Sequence, residues 1–341
     1  MGENEEMKQV RWKGYAAGVI ILHIVGIALL LKSLPQHPAL LGFGILAYTL
    51  GLRHAFDADH IAAIDNTVRK LVQQKENPIG VGFYFSLGHS TVVFCMAIIT
   101  ALAAKWAENR MPQLADIGGI IGTSVSGVFL VLMGVFNLFV FISIYQVFRK
   151  MRHDHYDENK LEELLQSRGL IARFLNPLFK FVNKSWHVYP IGFLFGLGFD
   201  TASEVALLAI SAGAVQSVIP LTGIIALPLL FAAGMSLLDT ADGIFMTTAY
   251  KWAFRTPLRK IYYNMSVTGV SIIAALVIGL VELAQVLMPK LGLTNGFWGW
   301  LQELDFGSLG YILFALFVVS WAVSYGIWKY MKFEKRWVDM N

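Results

Sequence analysis

Apolar runs long enough to cross a bilayer recur eight times in this chain, and no other feature narrows its fold so far. A spanning helix needs about 20 predominantly apolar residues. The runs fall at residues 14–31, 39–63, 80–104, 117–148, 188–213, 218–249, 265–288 and 309–331. Composition agrees: 56% of residues are hydrophobic and only 15% charged, where a soluble domain carries about a quarter charged residues. The expected fold is an all-α polytopic membrane protein of eight transmembrane helices. Trp186, Trp252, Trp298, Trp300 and Trp321 lie mostly near span ends and fit an interfacial belt.

The net charge of +4 does not point to nucleic acid, because the basic residues fall in short runs between the spans. With the N-terminus in the cytoplasm, the inner segments hold Lys8, Arg11 and Lys13, then Arg69, Lys70 and Lys75. The connection after span four adds eight more, the one after span six Lys251, Arg255, Arg259 and Lys260, and the C-terminus Lys329, Lys332, Lys335 and Arg336. Outer loops hold only Lys32, Lys105, Arg110 and Lys290. Positive-inside bias then places both termini in the cytoplasm. The first run follows residues 1–13 without a small-residue cleavage pattern, so it is expected to remain as a span.

The chain divides into a four-helix half at 1–148, a cytoplasmic amphipathic joint at 149–187 and a second four-helix half at 188–341. In the joint, Leu161, Leu164 and Leu165, then Phe174, Leu178, Phe181 and Val182, recur at helical spacing among basic residues, as in helices lying on the inner leaflet. Its HDHYD tract at 153–157 reads as a solvated loop. A possible inverted repeat relates the halves: Gly51 and Phe56-Asp57 in span two parallel Gly196 and Phe199-Asp200 in span five, and Phe85–Ser90 in span three parallels Phe231–Ser236 in span six. Inverted repeats that bring Gly-interrupted helices together near the midplane are a common plan of secondary transporters.

Polar residues inside these runs carry the functional argument. An Asp or Arg at the bilayer centre costs roughly 2.5–3.5 kcal/mol, so such residues pair, face water or hold a cation. Span two contains RHAFDADHIAAIDN from Arg53 to Asn66, with His54, Asp57, Asp59 and His60. Span three has LGHS with His89, span five GLGFDTASE with Asp200 and Glu204, and span six GMSLLDTADG with Asp239 and Asp242. Imidazole and carboxylate together form a ligand set for Ni²⁺, Co²⁺, Zn²⁺, Mn²⁺ or Fe²⁺, whereas Mg²⁺ favours oxygen and Cu(I) favours thiolate or thioether. The single cysteine, Cys95, excludes a thiolate cluster within one chain.

Helix geometry limits which of these residues converge. At 100° per residue Asp200 and Glu204 are about 40° apart and Asp239 and Asp242 about 60° apart, so each pair shares a face. His54, Asp59 and His60 cannot all reach one ion from an unbroken helix. Span two is therefore expected to be irregular near Asp57–His60, or to turn one of the three away. Structural readings fit several other residues: an ion pair of Arg53 with Asp57, a hydrogen-bonded His23, core packing for Met235, and interhelical hydrogen bonds for Asn137 and Glu282.

These four motifs, in this order and in these spans, resemble the nickel/cobalt transporter family of bacterial secondary metal permeases. The resemblance covers nearly the whole chain. It implies high-affinity uptake of Ni²⁺, in some members Co²⁺, across the bacterial cytoplasmic membrane, with His54, Asp59 and His60 as signature metal residues and His89, Asp200, Glu204, Asp239 and Asp242 as motif residues. Ser203 stands where Thr is frequent and retains the hydroxyl, and the short, His-poor joint differs from that of efflux-type relatives. No cofactor and no enzymatic role are implied. The partners expected are the metal ion and the lipid bilayer; no GxxxxGK[ST] loop is present, so ATP hydrolysis within this chain is not expected, and no ATPase subunit is implied. The rival readings are a Zn²⁺ or Mn²⁺ transporter and an intramembrane metalloenzyme, for which no helical HExxH motif is present.

Overall fold

The computed structural model describes residues 12–102, 104–151, 182–198, 220–253, 268–304 and 306–331, and every regular element among them is helical. In chain order these are α1 (Lys13–Ser33), α2 (Leu40–His54), α3 (Ala58–Gln73), α4 (Val81–Leu102) and α5 (Ala104–Met151). A 3-10 turn at Ser185–Val188 leads into α6 (Tyr189–Gly196), followed by α7 (Leu221–Ala253), α8 (Gly269–Lys290), α9 (Phe297–Gln302) and α10 (Phe306–Met331).

Five stretches are long and apolar enough to cross a membrane: Lys13–Ser33, Val81–Ile99, Ile117–Phe139, Leu221–Trp252 and Gly269–Lys290. Gly310–Val323 is a shorter apolar one. The chain is a multi-pass helical membrane protein. Its surface is apolar where a soluble protein's would be polar: Ile20, Ile21, Ile24 and Leu31 of α1 and Ile273, Val277 and Leu280 of α8 are all more than half exposed. The expected second span is two shorter helices, α2 and α3. Most of the expected fifth span lies outside the described residues, as does most of the 149–187 joint with its HDHYD tract.

Lipid gives apolar side chains no reason to leave it for one another, so close packing through small residues holds such helices together. Two crossings show this. Where α2 meets α7, a Cβ on Gly51 would stand 2.1 Å from the Phe231 carbonyl oxygen, and Gly234 lies against the Tyr48 carbonyl. Where α6 meets α4, a Cβ on Gly192 would stand 2.0 Å from the Phe85 carbonyl oxygen, and Gly88 lies against the Tyr189 carbonyl. The contacts correspond one for one: Tyr48 with Tyr189, Gly51 with Gly192, Phe231 with Phe85, Gly234 with Gly88. By these contacts Gly51 parallels Gly192, whereas the motif comparison set it beside Gly196.

Helix α3 is the polar axis of the bundle, packed against α4, α5, α7, α8 and α10. Ile61, Ile64 and Val68 join Phe85, Leu130, Met133 and Tyr250 in the main apolar core, while Asp65, Asn66, Thr67, Arg69 and Lys70 on the same helix are buried with them. Arg69 and Lys70 are thus not loop charges, as their place between two apolar runs implied. The Arg69 guanidinium donates to Asp65 at 2.7 Å and to the Tyr250 hydroxyl at 2.7 Å. Asp65 also accepts hydrogen bonds from the Tyr250 and Ser271 hydroxyls. Asn137 donates to Asn66 at 2.7 Å, the interhelical bond expected of it.

Candidate metal site

The helix of the second apolar run stops at His54 and restarts at Ala58. Asp57 has extended backbone angles, φ −63° and ψ 142°, and its carbonyl accepts the first bond of α3 from Ile61 at 3.2 Å. The turn is pressed from outside by α10, where a Cβ on Gly310 would stand 1.5 Å from the Phe56 carbonyl oxygen. Backbone freed at membrane depth is tolerated where it lines a protein cavity. The break swings two residues that an unbroken helix would separate onto a common point: the rings of His54 and His60 lie 4.6 Å apart.

His89 of α4 completes the group. Its ring centre is 4.7 Å from that of His54 and 4.9 Å from that of His60. One ligating nitrogen from each of the three imidazoles falls within 4.8 Å of the others. The Nε2 atoms of His54 and His89 are 3.1 Å apart. Two nitrogens bound to one ion at about 2.0–2.1 Å stand about 3 Å from each other, so this pair is already at chelating separation.

Carboxylates stand behind the rings. Asp57 Oδ2 is 2.6 Å from His54 Nδ1, which fixes that tautomer and leaves the Nε2 lone pair facing the centre. Asp239 Oδ2 lies 3.4 Å from His60 Nδ1, with both residues fully buried. Asp57 therefore pairs with His54 instead of Arg53, which is exposed. Asp59 is not in the triad; its Oδ1 accepts the His60 amide at 2.9 Å. Both alternatives that helix geometry allowed for span two are realised together, since the helix breaks and Asp59 is directed elsewhere.

Buried hydrogen-bonding atoms left without partners occur on His60 (Nε2) and His89 (Nδ1) of the triad, on Asp239 (Oδ1) behind it, and on their chain neighbours Ser90, Thr240 and Asp242. Each such atom costs about 1–3 kcal/mol unless a ligand or water meets it. Asp200 and Glu204 lie outside the described residues. His23 is a structural residue: Nδ1 donates to the Val19 carbonyl at 2.8 Å and Nε2 takes the Tyr48 hydroxyl at 3.2 Å. Met235 is fully buried in a cluster with Ala55, Val93, Ala97 and Phe231. The contacts of Asp57 with His54 and of Asp239 with His60 were not visible in the sequence, where Asp57 stood as a ligand candidate or a partner of Arg53 and Asp239 as a ligand candidate. The spacing of three residues between His54 and Asp57 was the one available signal.

The sequence matches the model of a family described as high-affinity nickel-transport protein over residues 40–327. The chain belongs to that family. Relatives of the nickel-transport family include a nickel transporter of Staphylococcus aureus, 57% identical over 97% of this chain and 98% of its own length. A high-affinity nickel-transport protein of Helicobacter pylori is 52% identical over 95% of this chain and 98% of its own. A cobalt transport protein of Rhodococcus rhodochrous is 39% identical over 91% and 90%. No solved structure matches the chain.

Proposed function

We propose that this protein is a secondary permease that takes up Ni²⁺, and Co²⁺ as a second substrate, across the bacterial cytoplasmic membrane. The observation that carries the reading is the convergence of His54, His60 and His89 at a helix break inside a membrane bundle. Family membership fixes the general activity as transport of a divalent metal and not catalysis. Imidazole ligands bias the site towards Ni²⁺ and Co²⁺ over Mg²⁺ and Ca²⁺, and the cobalt transport protein among the relatives supports the second substrate. Asp57 and Asp239 orient the rings and offset charge, and Asp59, Asp242, Asp200 and Glu204 supply the remaining acidic groups of the path.

In this reading the chain crosses the membrane eight times with both termini in the cytoplasm. Residues 1–148 and 188–341 form the two halves, joined by the amphipathic segment 149–187. The matched crossings of α2 on α7 and α6 on α4 support an inverted repeat. Partial exposure at His54 and Asp57, 17% and 24%, against complete burial of His60 and Asp239 supports access from one side only. The buried Asp65–Arg69–Tyr250–Ser271 network packs the other end of α3. An inside-negative potential supplies about 4.6 kcal/mol per divalent ion per 100 mV, twice the value for one charge, so transport proceeds without an ATPase subunit.

Cells expressing the chain are expected to accumulate ⁶³Ni²⁺ from nanomolar supply, and His54→Ala, His60→Ala and His89→Ala to abolish accumulation with the protein still in the membrane. Undiminished uptake in all three variants contradicts the site.

A further inference from the structure

The carboxylates behind the triad do not hold their rings equally. Asp57 Oδ2 meets His54 Nδ1 at 2.6 Å, whereas Asp239 Oδ2 lies 3.4 Å from His60 Nδ1, outside the usual hydrogen-bond range of about 2.7–3.2 Å. At His60, packing takes over. The Phe85 ring of α4 stands edge-to-face with the His60 imidazole, the centres 4.8 Å apart and the planes at 87°, an arrangement that aromatic rings prefer. Phe85 is fully buried and precedes His89 by four residues, so both side chains leave the same face of α4. Its ring is braced from behind: Phe195 of α6 meets it at 5.2 Å and 78°, and Phe129 of α5 meets Phe195 at 5.9 Å and 82°. The crossing of α6 on α4 fixes its backbone, because Gly192 lies against the Phe85 carbonyl. Four rings in edge-to-face contact therefore run from the triad across α4 and α6 to α5.

The matched crossing of α2 on α7 supplies an internal comparison. Phe231 corresponds to Phe85, is equally buried and has Gly51 against its carbonyl. Its ring centre is 6.0 Å from that of His54 with the planes at 40°, so it gives no perpendicular seat to an imidazole that Asp57 already holds.

We propose that Phe85 is a positioning residue that sets the plane of the His60 imidazole and, through it, the preference of the triad for Ni²⁺ over Zn²⁺. The inference rests on the transport reading above. Imidazole suits both ions, so a site separates them by geometry. Zn²⁺ favours four tetrahedral ligands. A ring clamped in one plane directs its nitrogen lone pair along one line, whereas a ring free to turn adapts to whichever ion arrives. Phe85→Leu keeps most of the apolar volume and removes the flat face, so the core stays filled while His60 gains that freedom.

Uptake of ⁶³Ni²⁺ by cells expressing the full chain, with Zn²⁺ as competitor, tests this. Phe85→Leu is expected to lower the Zn²⁺ concentration that halves uptake at least about tenfold relative to the KM for Ni²⁺, the scale of losing a group that orients a ligand. Phe231→Leu is expected to lose a comparable amount of melting temperature in detergent and to keep the wild-type ratio. In the purified protein, Phe85→Leu is also expected to alter the visible absorption of bound Co²⁺, whose band intensity reports coordination geometry, and Phe231→Leu to leave it unchanged. Should Phe85→Leu fail to fold, Phe195→Leu removes the brace behind the ring and is expected to shift both readouts in the same direction by less. An unchanged ratio and Co²⁺ spectrum in folded Phe85→Leu, or in Phe195→Leu where that variant carries the test, overturns the inference and leaves the transport reading standing. Equal shifts in Phe85→Leu and Phe231→Leu reduce Phe85 to a packing residue and overturn it too. Absence of uptake and of bound metal in the wild type overturns both readings.

Discussion

Helix α3 carries a polar cluster at each end, and the two differ in what their hydrogen-bonding atoms have found. At the C-terminal end, Asp65 accepts from Arg69, Tyr250 and Ser271, and Arg69 donates to Asp65 and Tyr250. No side-chain atom of these four is left buried without a partner. At the N-terminal end, His60, His89 and Asp239 all retain unpartnered buried atoms, and the Nε2 atoms of His54 and His89 are 3.1 Å apart. Burial of charge is common to both. Satisfaction separates them: a completed network acts as a structural joint, whereas an incomplete one leaves atoms open to a ligand or water.

The contrast can be broken most severely by exchanging the outcomes of mutation. His60→Ala is expected to reduce ⁶³Ni²⁺ uptake by two orders of magnitude or more while the protein accumulates in the membrane and melts near the wild-type temperature in detergent. Asp65→Ala is expected to do the reverse at the level of the fold. It leaves Arg69 as an uncompensated buried charge, a loss of about 3–5 kcal/mol, seen as little folded protein on size-exclusion chromatography. If Asp65→Ala folds normally and His60→Ala does not, the assignment of roles is inverted.

A second effect is smaller and concerns ligand linkage. Ni²⁺ at 100 times its dissociation constant stabilises the folded protein by about 2.7 kcal/mol. The wild type is expected to show that rise in melting temperature, Ser271→Ala to keep it from a lower starting point, and His54→Ala to lose it. Asp57→Asn keeps the ring in place with a weaker orienting partner, and is expected to lower Ni²⁺ affinity about 10- to 100-fold, measured by calorimetry. An effect of similar size sharpens the structural end: Ser271→Ala removes one hydrogen bond to a charged carboxylate and costs about 1.5–3 kcal/mol, measured by chemical denaturation in detergent.

Much of the N-terminal cluster was legible in the sequence because the bilayer makes polar residues conspicuous. His54 and His60 stood out against their apolar run, and the 100° rotation per residue required either a break near Asp57–His60 or one residue turned away; the break lies at residues 55–57. What could not be read there was direction. Asp57 turns back on His54, and Asp59 onto the start of its own helix, because the extended backbone at Asp57 reorients everything after it. The C-terminal cluster was illegible for another reason. Arg69 and Lys70 follow an apolar run and precede Pro78, the pattern of a cytoplasmic loop, and only the positions of Tyr250 and Ser271, some 180–200 residues away in sequence, bring them inside.

X-ray absorption at the nickel edge of the Ni²⁺-loaded protein addresses the central claim most directly. If His54, His60 and His89 hold the ion, the spectrum shows nitrogen neighbours with the multiple scattering of three imidazoles, and His89→Ala removes one of them. A spectrum of oxygen neighbours alone, unchanged in His89→Ala, contradicts the account.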